Sequence, residues 1–130
     1  MKAMILAAGL GTRLKPFTEE HPKALAVING KSLLQRNIEY LASFGITEVI
    51  VNIHHFPDQI TDSIKKNKGF GSKVTISDEK DKILETGGGL MKARSFFKKN
   101  EPFVLINVDI LTDLDISKMI DQHISSKALA

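Results

Sequence analysis

Short apolar runs alternate with helically spaced apolar residues along this chain, and that alternation leaves few folds open. Residues 2–8 form an apolar run that ends at Gly9 and reads as a buried first strand. Residues 47–53 (Thr-Glu-Val-Ile-Val-Asn-Ile) read as a second strand and residues 73–77 as a third, at a sheet edge. Residues 102–108 read as a fourth, apolar except for Asn107. Between the strands, Leu34, Ile38 and Leu41 recur at helical spacing, as do Phe56, Ile60 and Ile64. Ser32 and Gln35 have capping-box spacing at the start of the first helix, and Gly45 stops it. A third helix is expected over residues 87–99, with Thr86 as its cap. A fourth follows Asp115, with Ile116, Met119, Ile120 and Ile124 on one face.

Residues 24–28 read as a brief extended piece closed by Asn29-Gly30. The order β-loop-α-β-α-β-α-β-α predicts an α/β fold: a three-layer α/β/α core with a mostly parallel sheet and helices on both faces. Ala128-Leu129-Ala130 resembles the start of a further strand, so a core truncated at its C-terminus is expected.

In such folds ligands gather at the carboxyl ends of strands. Two candidate sites fall there. The loop Gly9-Leu10-Gly11-Thr12-Arg13-Leu14 follows the first strand, and Asp109 follows the fourth. Glycines let backbone N–H groups approach a phosphate, and Arg13 adds a permanently charged planar fork. This is not the dinucleotide fingerprint, whose third glycine would stand where Leu14 does. Nor is Gly30-Lys31-Ser32 a P-loop, because position 25 is leucine.

Gly87-Gly88-Gly89 supplies a flat backbone and free amides at the positive end of a helix, against which a base or sugar could lie. Asp109 is suited to holding Mg²⁺ against a triphosphate. His54 and His55 are neighbours on a strand and point opposite ways, so they are expected to be structural.

Charge agrees with a small anionic ligand. Residues 1–36 hold six Lys or Arg and two acids, a net +4, while the rest of the chain holds a net −1. The basic residues are not interleaved with aromatics, which argues against nucleic acid. The N-terminal apolar run is shorter than a secretory signal, and no stretch approaches the roughly 20 apolar residues of a membrane span. Cysteine is absent, which fits a reducing compartment, so the expected setting is cytoplasmic, without a membrane partner.

Residues 3–18, followed by His21-Pro22-Lys23, resemble the opening motif of the sugar-1-phosphate nucleotidyltransferases, or NDP-sugar pyrophosphorylases, and this resemblance implies a Rossmann-like nucleotidyltransferase core. Leu84-Glu85-Thr86-Gly87-Gly88-Gly89 is similar to that family's second glycine segment, in the form seen in mannose-1-phosphate guanylyltransferases and N-acetylmuramate-1-phosphate uridylyltransferases. Asn107-Val108-Asp109 is similar to its metal-binding strand end, with Val108 where the family commonly has glycine.

The resemblance implies a reaction of NTP with a sugar 1-phosphate to give NDP-sugar and pyrophosphate, with Arg13 and Lys23 as catalytic residues. It implies that Leu6, Ala7, Ala8, Gly9, Gly11, Thr12 and Arg13, together with Thr86, Gly87 and Gly88, bind the nucleotide, and that Asp109 holds Mg²⁺. The expected partners are GTP or UTP and a sugar 1-phosphate, with a homo-oligomer left open. Residues 1–130 correspond to the family's N-terminal, nucleotide-binding portion, without the C-terminal sugar-binding portion. The alternative from another class is a non-catalytic nucleotide-sugar-binding domain.

Overall fold

The computed structural model describes residues 1–79 and 81–130. Its centre is a four-stranded, wholly parallel sheet in the order β5-β4-β1-β6. The strands are β1 (Lys2–Leu6), β4 (Glu48–Ile53), β5 (Lys73–Asp78) and β6 (Phe103–Asn107). Two short strands, β2 (Val27–Ile28) and β3 (Lys31–Ser32), form a separate antiparallel hairpin. The helices are α1 (Leu33–Ser43), α2 (Pro57–Lys66), α3 (Glu85–Ala93) and α4 (Ile116–Ser126).

Side chains alternate across a strand, and both faces of β1 are buried as a covered parallel sheet requires. Ala3 and Ile5 join Leu34, Ile38 and Leu41 of α1, Ile60 and Ile64 of α2 and Ile116 of α4 in one core. Met4 and Ile50 face the other way and meet Ala93 of α3. The expected α/β/α layering is therefore present, with α3 on its own side.

Local signals explain most boundaries. Ser32 Oγ accepts the Gln35 N–H at 3.1 Å and starts α1, while the Gln35 side chain donates to Glu39 instead of closing a full capping box. The helix ends in a Schellman pattern: Gly45 N–H donates to Ala42 O and Ile46 N–H to Leu41 O, with Gly45 at φ 76°. Asn29 and Gly30 both have positive φ and turn the β2–β3 hairpin.

Some expectations need correction. The extended piece at 24–28 is a 3₁₀ turn over Lys23–Leu25 followed by only two strand residues. Thr86 is not the cap of α3; that position is Leu84, and the helix runs only to Ala93 before a 3₁₀ turn. Residues 128–130 form no strand. The apolar face of α4 is half covered: Ile116 is buried, but Met119 and Ile124 are exposed.

Candidate active site

β4 and β5 extend the sheet to one side of β1, and β6 lies on the other. Chain leaving β1 and β6 therefore diverges and opens a crevice at their carboxyl ends. A cleft of about 450 Å³ occupies it.

Beyond β1 the chain passes through buried Ala7 and Ala8 to the exposed Gly9. The two glycines of the loop answer to different constraints. At Gly9 an added Cβ would meet nothing within 4 Å, so no protein contact requires glycine there. Gly11 has φ +65°, and its Cβ would lie 2.9 Å from both Lys23 Cβ and Thr18 Cγ2. The fold itself requires Gly11. Thr18 reinforces the turn by donating to Gly11 O at 2.8 Å, and the His55 ring donates to Thr18 O at 2.7 Å. His54 likewise donates to Glu79 O at 2.6 Å, so both histidines brace backbone.

Arg13 sits in the short 3₁₀ turn Thr12–Leu14 and borders the cleft. Lys23 reaches the same space from the turn after Pro22 and donates to Asp109 Oδ2 at 2.9 Å. That hydrogen bond is the main reason the Asp109 carboxyl is held below the usual aspartate range; partial burial opposes it, and the charges of Lys23 and Arg13 assist. The peptide before Asp109 is pinned on both sides. Val108 is fully buried, its N–H donates to Leu6 O at 3.1 Å, and its carbonyl accepts from Asn37 Nδ2 at 2.8 Å. The valine that replaces the commoner glycine is thus a core residue that holds the aspartate at the crevice.

Of the residues anticipated, Leu6, Ala8, Gly9, Arg13, Lys23, Thr86 and Asp109 border one cleft. Ala7, Gly11, Thr12, Gly87 and Gly88 do not. Ala7 is buried with its N–H donated to Asn52 Oδ1, and Gly11 is packed beneath Lys23. Thr12 and Gly87 are exposed on the surfaces beside the cleft. Gly88 lies against Leu84, whose Cβ would be 2.9 Å from a Cβ added there.

Five bordering residues were not anticipated: Asn52, Glu79, Ile83, Glu85 and Asn107. A signal existed for two of them. Asn52 and Asn107 are polar residues that interrupt apolar runs near the carboxyl ends of their strands, and both pair in register with Leu6, one on each side.

Among the described residues, no group of three or more His, Cys, Asp or Glu could hold a metal. Asp109 is one of three carboxylates that border the cleft, with Glu79 and Glu85, and a hard cation such as Mg²⁺ needs only one or two of them, because water and phosphate oxygens complete its shell.

A family model described as nucleotidyl transferase matches residues 2–130. The chain belongs to the nucleotidyl transferase family. Within this family it is 38% identical over 109 residues to N-acetylmuramate alpha-1-phosphate uridylyltransferase of Caulobacter vibrioides, covering 82% of this chain and 45% of that protein. It is 35% identical over 125 residues to mannose-1-phosphate guanyltransferase of Kluyveromyces lactis, covering 95% of this chain and 34% of that protein. The crystal structure of HddC from Yersinia pseudotuberculosis complexed with GMP-PN superposes with a TM-score of 0.83 at 36% identity, covering 94% of this chain and 53% of that one. The chain thus spans about half the length of these relatives, or less. No helix among the described residues is long and apolar enough to cross a membrane.

Proposed function

We infer that this chain is the nucleotide-binding portion of a sugar-1-phosphate nucleotidyltransferase, which joins an NTP and a sugar 1-phosphate into an NDP-sugar and pyrophosphate. The observation that carries the reading is convergence: Gly9, Arg13, Lys23, Thr86 and Asp109 border one cleft although they come from separate stretches of chain. The sugar-binding portion is assigned to the length that the relatives possess beyond the matched region.

The chemistry needs no protein base, because the attacking phosphate oxygen of the sugar 1-phosphate is already anionic. That oxygen forms a bond to the α-phosphorus, and the bond to the pyrophosphate oxygen breaks with its electron pair. Catalysis is then positioning and charge stabilisation. Arg13 neutralises the departing pyrophosphate, and Lys23 neutralises the α-phosphate or the incoming phosphate. The amides around Gly9 approach the phosphates closely, which the open space at that residue supports. Thr86 borders the cleft and offers the base or ribose a backbone surface, with the exposed Gly87 next to it. Asp109 would hold Mg²⁺, which would supply charge neutralisation on the triphosphate.

For substrates we favour GTP with mannose 1-phosphate, supported by the structural likeness to HddC, solved with GMP-PN; the glycine segment Leu84-Glu85-Thr86-Gly87-Gly88-Gly89 is compatible with both this reading and the next. The second reading, UTP with N-acetylmuramate 1-phosphate, is favoured by the 38% identity to the Caulobacter enzyme. The cysteine-free composition supports a cytoplasmic setting.

The test is pyrophosphate release from GTP, UTP, dTTP, CTP and ATP, each paired with mannose, glucose and N-acetylmuramate 1-phosphates, using the protein at the length of its relatives. Release with one pair identifies the substrates. Nucleotide binding without release under every pairing refutes the enzyme and favours a non-catalytic nucleotide-sugar-binding domain.

A further inference from the structure

Two polar side chains are buried at the carboxyl end of the sheet, Asn52 within β4 and Glu79 directly after β5. Asn52 is 3% exposed and Glu79 is 1% exposed. Burying a carboxylate is costly unless its oxygens are satisfied. Here they are. Asn52 Nδ2 donates to Glu79 Oε1 at 2.9 Å, and the Leu84 N–H donates to Glu79 Oε2 at 3.1 Å. At the other end, Asn52 Oδ1 accepts the Ala7 N–H at 2.7 Å. These three bonds run without interruption from Ala7, the first residue after β1, to Leu84, the cap residue that precedes α3.

The third glycine of the triplet belongs to the same arrangement. A Cβ at Gly89 would lie 2.7 Å from Glu79 Oε1 and 2.9 Å from Asn52 Nδ2. Gly89 is therefore glycine because it rests on the Asn52–Glu79 hydrogen bond. Gly87 meets nothing within 4 Å and has no such reason.

We propose that Asn52 and Glu79 are positioning residues, which fix the separation between the glycine loop after β1 and the glycine-rich start of α3 by clamping the Ala7 and Leu84 amides. The proposal rests on the reading that a nucleotide lies between these two segments. Asn52 and Glu79 act through the backbone they hold. Fixed walls let the nucleotide bind without having to order them, and that ordering would otherwise be subtracted from affinity.

The pair permits a swap. In Asn52→Asp two carboxylates face one another. In Glu79→Gln the new amide can accept from Asn52 or from the Leu84 N–H, but its own N–H₂ then opposes the other donor. In the double variant Asn52→Asp/Glu79→Gln the pattern closes again. The carboxylate at position 52 accepts from Ala7 and from the amide at position 79, whose oxygen accepts from Leu84. Shape and net charge are unchanged.

The experiment measures GTP and UTP affinity in Mg²⁺ for the wild type, both single variants and the double variant. Unfolding midpoints and hydrogen exchange of the Ala7 and Leu84 amides are recorded alongside. Each single variant is expected to weaken affinity for the bound nucleotide by about tenfold or more and to speed exchange at both amides. The double variant is expected to return affinity to within about threefold of wild type. Single variants that lose amide protection yet bind as wild type overturn the proposal. So does a double variant that regains its unfolding midpoint and amide protection but not its affinity. A wild type that binds neither nucleotide is a different result: it overturns the nucleotide reading itself, and the proposal falls with it.

Discussion

Lys23 Nζ lies 2.9 Å from Asp109 Oδ2, so the lysine from the N-terminal loop and the aspartate after β6 neutralise each other at the mouth of the cleft. The pair joins segments 86 residues apart. It also means that a nucleotide phosphate and its cation would each find a partner already engaged. Binding would exchange one ion pair for two interactions, Lys23 with phosphate and Asp109 with the cation.

The first prediction concerns protonation of that pair. The carboxyl of Asp109 should titrate below the ordinary aspartate value, and Lys23→Met should raise its midpoint by removing the principal cause. The native state then binds fewer protons than the unfolded chain. The pair's stabilising contribution is present above the ordinary aspartate range and is lost as pH falls through the lowered midpoint. Carbon-detected NMR titration of the side-chain carboxyl checks this; an unchanged midpoint in the variant is the contrary outcome.

Arg13 is exposed and has no structural duty in the core. Arg13→Ala should leave stability within about 0.5 kcal/mol of wild type. In the protein at the length of its relatives it should lower turnover by about 10²-fold, the scale of one preorganised charge-stabilising donor. Unchanged turnover would remove Arg13 from the chemistry.

Gly87 and Gly89 should separate in two assays. Gly87→Ala replaces a helical glycine with open space around it, so stability should rise by up to about 1 kcal/mol while nucleotide affinity falls. Gly89→Ala strikes the Asn52–Glu79 hydrogen bond and should lower both. Thermal denaturation and nucleotide titration on the two variants decide it. An affinity gain in Gly87→Ala would contradict ligand contact at that residue.

Gly11→Ala should be destabilising by about 1–3 kcal/mol, because φ +65° and the contacts with Lys23 and Thr18 strain any side chain. Gly9→Ala meets neither obstacle and should keep the wild-type midpoint in denaturant while weakening nucleotide binding. Equal stability losses at both glycines would erase the distinction.

Asn37→Leu removes the donor that holds the Val108 carbonyl at 2.8 Å. Leaving a buried carbonyl unsatisfied costs about 1–3 kcal/mol. Chemical denaturation should show that loss, and the Asp109 amide should exchange faster. A stability change without any effect at Asp109 would mean that Asn37 supports the core alone.

Much of the fold was legible because apolar periodicity reports which face of each element is buried. Leu34, Ile38 and Leu41 mark the inner side of α1, and the double-sided burial of β1 follows from its unbroken apolar run. The start of α3 was not legible in the same way. Thr86 has the chemistry of a cap, but the helix begins at Glu85, and the N–H of its cap residue Leu84 is satisfied by the Glu79 carboxylate five residues earlier, a pairing that no capping motif marks.

The sequence by itself determined the classes of element, their order, and the charged and glycine-rich loops, since propensity, periodicity and turn chemistry act over a few residues. Sheet order and register were decided only in three dimensions. They set Asn52 and Asn107 on either side of Leu6, join Lys23 to Asp109, and bury Glu79 against Asn52. No local spacing encodes those meetings, because they depend on which strands become neighbours and which polar groups must satisfy one another away from water.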